Sequence, residues 1–264
     1  MKTVVITGST RGIGYGLADA FLDRDCAVVV NGRTGQAVGN AVAKLAAKHQ
    51  AADRVFGHPC DVSDFGQVQS LWDAAKTHFG QVDIWINNAG LGHPQMNFWE
   101  LTSEQIQAVV CANVLGAMYG SKVALCGMLV QGLGALYNLE GLGSDGRKVQ
   151  GLSLYGTTKS GLRYLDESLA NEVRGTGVLV GVLRPGMVIT DLMTKQFEGR
   201  PEDWERAKRI FNILADRVET VAPWLAQRVL ANDKNGACIS WQSTLKVLGR
   251  FLAAPFRKRD LFAL

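Results

Sequence analysis

Tyr155 and Lys159 stand four residues apart in the run Tyr155-Gly156-Thr157-Thr158-Lys159. On a helix that spacing puts both side chains on one face. A cation beside a phenol favours the phenolate and draws its pKa below the ordinary value of about 10. Such a tyrosine can give a proton to a carbonyl oxygen near neutral pH, or take one from an alcohol. Helices also carry this pair by chance, so the rest of the chain must decide.

A second chemical signal lies near the N-terminus. Thr7-Gly8-Ser9-Thr10-Arg11-Gly12-Ile13-Gly14 sits where an apolar run hands over to a helical one. Glycines there allow a tight turn and close backbone approach, and the helix start offers free N–H groups to a pyrophosphate. At the end of the next apolar run stands Asn31-Gly32-Arg33. An acidic residue there would hold a ribose 2′-hydroxyl and repel a 2′-phosphate. Arg33 instead offers charge-assisted bonds to a phosphate, and Arg11 can join it. The expected cofactor is therefore NADPH. The competing reading is a pair of solvated surface arginines.

These groups need a scaffold. Apolar runs of strand length cover Thr3 to Thr7, Ala27 to Asn31, Arg54 to His58, Val82 to Asn87, Ala135 to Leu139, Val178 to Leu183 and Ala237 to Ser240. Most are continuous, as in strands buried on both faces. Helical stretches such as Gly12 to Arg24, Gln36 to Gln50 and Phe65 to Phe79 lie between them. The alternation predicts an α/β fold, a Rossmann-like doubly wound parallel sheet of seven strands flanked by helices. With 264 residues and no internal repeat, one domain is expected over the whole chain.

Composition excludes several classes. The net charge of +4 is too mild to argue for nucleic acid. The five cysteines are scattered without metal-ligand spacing, so reduced and mostly buried thiols are expected. No apolar stretch reads as long enough to span a bilayer, and no signal peptide precedes the first strand. A cytoplasmic location is the expectation.

Taken in order, the motifs resemble those of the short-chain dehydrogenase/reductase family along nearly the whole chain. They are Thr7-Gly8 to Gly14, Asp61-Val62, Asn87-Asn88-Ala89-Gly90, Asn113, Tyr155 to Lys159, and Pro185-Gly186 to Thr190. The resemblance implies that Asp61 and Val62 contact the adenine. It implies that Asn88, Ala89 and Gly90 pass beneath the adenosine ribose and brace the sheet. Pro185, Gly186, Val188 and Thr190 would hold the nicotinamide end. Lys159 would bind the nicotinamide ribose and tune Tyr155, and Asn113 would anchor a water in a proton relay. A homodimer or homotetramer is implied as well.

One expected residue is displaced. The family usually has a serine about thirteen residues before the tyrosine. Simple counting reaches Leu142, and aligning the strand puts Glu140-Gly141 there. The nearest serine is Ser144. It could curl back to supply the hydroxyl, a backbone N–H could polarise the carbonyl instead, or Ser144 could be a turn residue only.

The run Tyr137 to Gly146, followed by Tyr155 to Arg163, resembles the chlorophyll b reductase group of this family, and so do Asn212 to Asp216 and Glu219 to Leu225. That resemblance implies reduction of the C7 formyl group of a chlorophyll-type pigment, with hydride from NADPH and the proton from Tyr155. It suggests a compact homologue without transit peptide. The alternatives are reduction of another carbonyl (a 3-oxoacyl thioester, a steroid or a small aldehyde) or cofactor binding without catalysis.

Two further segments carry expectations. Residues 190 to 220 hold Leu192, Met193, Phe197, Trp204, Phe211 and Ile213 with Arg206, Lys208 and Arg209. They read as a substrate-binding lid, or as an amphipathic helix packed on the body. The tail, residues 243 to 264, mixes apolar residues with Lys246, Arg250, Arg257, Lys258 and Arg259. It suits an anionic lipid surface or a partner subunit equally.

Overall fold

The computed structural model describes residues 1–262 except 198, 255, 257 and 258. Seven strands form one sheet: β1 (Thr3–Ile6), β2 (Ala27–Gly32), β3 (Val55–Pro59), β4 (Ile84–Asn87), β5 (Gly134–Leu139), β6 (Val178–Arg184) and β7 (Ala237–Ser240). All pair in parallel, in the order β3-β2-β1-β4-β5-β6-β7. The order reverses between β1 and β4. Their carboxyl ends diverge there and open the crevice where such sheets bind ligands.

The helices are α1 (Gly12–Leu22), α2 (Gly35–His49), α3 (Phe65–Phe79), α4 (Ser103–Val110), α5 (Gly116–Gln131), α6 (Ser153–Glu172), α7 (Asp191–Thr194), α8 (Pro201–Leu214), α9 (Val218–Leu230) and α10 (Thr244–Ala253). Helices α1, α2 and α9 cover one face of the sheet, meeting Val4, Ile6, Val28 and Val30. Helices α3 and α5 cover the other, meeting Val5, Val29 and Trp85. Alternate residues of each strand feed two different cores, which is why the apolar runs are continuous.

The predicted strands stand, with ends shifted by one or two residues. The strand does not reach back to Val82, because the Val82 N–H and carbonyl bond the Gln131 side chain instead of a neighbouring strand. Two expectations need correction. Cys126 and Cys238 are exposed, although Cys26 and Cys60 are buried. And one helical run is long enough to cross a bilayer. Residues Ser103–Gln131 continue through α4, a π turn (Cys111–Leu115) and α5, with a window of mean hydropathy 1.5. Half of that window is buried in the body, against α3 and the sheet, so the apolarity is that of a core helix.

Candidate active site

The glycine turn forms a cradle that side chains would fill. Gly8 and Gly12 have φ of +64° and +58°, in the left-handed region that favours glycine. A Cβ on Gly14 would lie 2.4 Å from Asn88 Nδ2. No side chain caps the first turn of α1, so its N–H groups remain available to an anion. The turn is held from below. Ser9 is buried, its Oγ donating to the Ile6 carbonyl at 2.7 Å and accepting from the Asn31 N–H at 2.9 Å. Asn31 Oδ1 accepts from the Gly8 N–H at 3.0 Å, and its amide donates to the carbonyls of His58 and Cys60. Thr10 packs on Gly32, and Ile13 reaches the core. Ser9 and Asn31 thus shape the turn, and the exposed groups around it are Arg11 and Arg33.

The other expected cofactor residues line the same crevice. The Asp61 carboxylate accepts from the N–H and Oγ of Ser63, which hold it below the usual carboxylate range, with Arg33 adding to this. Val62 is buried against Gly116. The Asn88 amide donates to the carbonyls of Thr7 and Gly8, and Ala89 lies directly against Gly8. These bonds tie the ends of β1 and β4 together. Gly90 packs on Asn113. Pro185 and Gly186 turn the chain after β6, where Met187 N–H donates to Gln242 Oε1. Val188 is buried, Thr190 faces Gly12, and Arg11 lies 3.8 Å from Asp191. A nicotinamide dinucleotide fits this arrangement: a glycine cradle, an uncapped helix start and an exposed Arg33 guanidinium beside Asp61 beyond β2.

Tyr155 and Lys159 lie in the first turns of α6. The Lys159 ammonium is 5.8 Å from the centre of the Tyr155 ring and donates to the Leu139 carbonyl at 2.8 Å. Asn113 lies in the π turn, and such turns recur at functional sites. Its side chain bonds both the N–H and the carbonyl of Leu91 and donates to Thr158 Oγ1 at 3.2 Å. Of the four expected catalytic residues, Tyr155 and Lys159 lie together and Asn113 is joined to their helix through Thr158, the neighbour of Lys159.

The electrostatics differ from the expectation for Tyr155. Part of the residue reaches solvent, but its hydroxyl is enclosed, and burial pushes it up to about 12. Burial also draws Lys159 down to about 8, with Asp166 and Glu140 opposing. The helical spacing speaks for a lowered phenol. In the protein without ligand, desolvation outweighs the cation, because the phenol and the ammonium are both removed from water.

The serine question has a geometric answer. A Cβ on Gly141 would lie 2.6 Å from the Tyr155 hydroxyl. Gly141 thus occupies the place facing the tyrosine. Ser144 is buried one turn further on, its Oγ donating to the Gly141 carbonyl at 2.8 Å. The turn is clamped to α6, since Ser160 Oγ donates to the Gly143 carbonyl at 2.7 Å.

Several residues that sequence reasoning missed belong here. His93 Nδ1 lies 2.7 Å from the Pro94 carbonyl, so Nδ1 carries the proton and Nε2 accepts, at 3.4 Å, from the Tyr155 N–H. Glu140 is buried and paired with Arg184. Asp166 is buried, accepts from Asn138, and is raised to about 7, chiefly by desolvation. A histidine directly before a proline and a lone aspartate on a helix give no local signal.

The segment after β6 crosses the mouth of the site. Leu192 packs against Gly92, and Arg200 Nη1 donates to the Gln95 carbonyl at 2.8 Å. Phe197, Trp204 and Phe211 cluster with Phe262 from the tail, so much of the expected apolar wall faces itself. The segment returns at Asp216, whose backbone bridges Val188 and bonds Met187 and Ile189 at 3.0 Å each. The Asp216 carboxylate also takes Trp241 Nε1, Arg250 and Arg259. In the tail, Lys246 lies 3.1 Å over the Trp241 ring. These basic groups turn inward, while Leu245, Leu248, Phe251 and Leu252 of α10 face outward. Arg257 and Lys258 lie outside the described residues.

Comparison with known proteins points the same way. The family described as short chain dehydrogenase matches residues 2–201. Chlorophyll(ide) b reductase NOL, chloroplastic, of Arabidopsis thaliana is 36% identical over 239 residues, 89% of this chain and 67% of that protein. The Oryza sativa subsp. japonica protein NYC1, described as a probable chlorophyll(ide) b reductase, is 33% identical over 99% of this chain. The chain spans 54% of its length, about half. The solved alcohol dehydrogenase of the archaeon Thermococcus sibiricus, complexed with 5-hydroxy-NADP, superposes with a TM-score of 0.77. It is 25% identical, with 92% of this chain and 97% of that one covered.

Proposed function

The chain belongs to the short-chain dehydrogenase family and is a nicotinamide-dependent oxidoreductase, and from that premise we propose that it reduces the C7 formyl group of a chlorophyll b-type pigment to a hydroxymethyl group. The observation that carries the reading is Gly141 beneath the Tyr155 hydroxyl, in the glycine-rich turn that distinguishes this chain within the family pattern. Its support is the similarity to chlorophyll(ide) b reductases over most of the chain.

Bound NADPH supplies the hydride to the aldehyde carbon. Tyr155 donates its proton to the aldehyde oxygen as negative charge develops there. Lys159 lies behind the phenol and stabilises the phenolate left by that donation. Asn113 fixes the loop at Leu91 and the start of α6 relative to each other, so the donor keeps its place. Ser144 supports the turn through Gly141, and since the Ser144 and Gly146 N–H groups already donate within the turn, the N–H groups of Gly141, Leu142 and Gly143 are the partners it offers the carbonyl oxygen. Arg33, with Arg11, favours the phosphorylated cofactor.

The test mixes purified protein, NADPH and chlorophyll b and looks for the 7-hydroxymethyl pigment by chromatography. Absence of product at high enzyme concentration, with NADPH shown to bind, would overturn the substrate. Turnover of a 3-oxoacyl thioester or small aldehyde without pigment activity would assign another carbonyl.

A further inference from the structure

Three consecutive residues at the end of β5 and just beyond it gather four ionisable groups: Asp166, Lys159, Glu140 and Arg184. Asn138 donates its side-chain amide to Asp166. The Leu139 carbonyl accepts from the Lys159 ammonium at 2.8 Å. Glu140 pairs with Arg184. Asn138, Glu140, Lys159 and Asp166 are all at least 95% buried. Lys159 and Asp166 are seven residues apart on α6, two turns along one face.

The direction of the amides is forced. Indole Nε1 of Trp85 can only donate, and it lies 2.7 Å from Asn87 Oδ1. Asn87 Nδ2 must then be the donor to Asn138 Oδ1, at 2.7 Å. Asn138 is left to present its own NH2 to Asp166 Oδ1. That oxygen is thereby fixed as an acceptor. Asp166 Oδ2 is buried without a partner, and so is Glu140 Oε1. Unpartnered buried carboxyl oxygens are rare and demand a physical reason. Both lie in the buried surroundings of the Lys159 ammonium, which bonds the Leu139 carbonyl directly and meets the two carboxyl groups through space, beyond ion-pair distance.

We propose that Glu140 and Asp166 form a buried carboxyl pair that keeps the Lys159 ammonium charged, Asp166 being a positioning residue that acts on Tyr155 through the lysine. This rests on reading Tyr155 and Lys159 as the acid couple. Lys159 is faced by Tyr155 and Asp166 from its own helix and by Glu140 from the end of β5. Arg184 on β6 is tied to Glu140, and Glu167 on α6 adds repulsion at Asp166. Burial works against the ammonium, and the two carboxyl groups oppose it. Asp166 itself ionises near neutrality, so its hold on the lysine strengthens as pH rises past about 7.

The test reads the lysine directly and needs no substrate. Protein carrying 13Cε-labelled lysine is titrated by nuclear magnetic resonance, with the Lys159 signal assigned by its loss in Lys159→Met. In Asp166→Asn, which keeps an oxygen for Asn138, the Lys159 midpoint falls by about half a unit or more relative to the wild type. Glu140→Gln moves it the same way and serves if Asp166→Asn does not fold. An unchanged or raised midpoint in the folded variant overturns the proposal. Because the readout is proton affinity, its failure is distinct from a failure to reduce pigment.

Discussion

The Tyr155 hydroxyl lies over Gly141, where a Cβ would approach it to 2.6 Å. No L-residue fits there unless the tyrosine moves. The hydroxyl is the far end of a side chain, so it can yield while the fold stays. Gly141→Ala should therefore leave the melting temperature within a few degrees of wild type and lower kcat by about a hundredfold, the usual cost of misplacing a reacting group by about 1 Å. Gly141→Ser, which restores the family's usual residue, should be impaired for the same reason. Wild-type kcat in both would show that the hydroxyl acts from another position.

Tyr155→Phe removes the proton donor and little else. Its kcat should fall by about 10²- to 10⁴-fold. NADPH affinity, read from fluorescence of the bound cofactor, should change little. Unchanged turnover would defeat the mechanism.

Arg33 stands exposed beyond β2, beside Asp61. Arg33→Ala should raise KM for NADPH by about tenfold or more, the worth of a charge-assisted hydrogen bond of about 1.5–3 kcal/mol. KM for NADH should move far less. Equal changes for the two cofactors would count against phosphate recognition by this residue.

Asp166 gives a pH signature in stability. Its folded pKa is raised from 3.8 to about 7, so the folded state holds a proton that the unfolded chain has lost. Stability from this group falls as pH rises from about 4 to 7, and the full cost of the buried charge is present above that. Asp166→Asn should therefore stabilise the protein at pH 8 relative to wild type, by about 1–3 kcal/mol, and much less at pH 4. Thermal melts at both values check this. A gain that is equal at both would assign the effect to packing.

The fold was legible because its signal is local. Each strand is a run of Val, Ile or Leu between polar turns, and the glycine turn, Tyr155 and Lys159 carry their chemistry in fixed spacing. What could not be read depends on contacts across the sheet. Asn87, Asn138 and Asp166 are distant in sequence and meet only because β4 and β5 lie side by side under α6. The raised phenol of Tyr155 was illegible for a related reason. Spacing reports that the lysine is near, but burial depends on how completely the surrounding loops close. Gly141 was visible as a departure from the family pattern, yet its meaning required the position of the tyrosine hydroxyl.

The segment over the site leaves and re-enters the body at one point, where Val188 and Asp216 pair. That closure is reinforced by Trp241, Arg250 and Arg259, and between its ends the segment touches the body again where Leu192 meets Gly92 and Arg200 bonds the Gln95 carbonyl. Thr190 and Asp191 remain bound to the glycine cradle, but the residues beyond them belong to no strand of the sheet and can change without altering its pairing. Selection on what the enzyme accepts can act on an interchangeable insert while the chemistry beneath stays constant, and a transplant of residues 192–215 between relatives is the natural unit for exchanging their preferences.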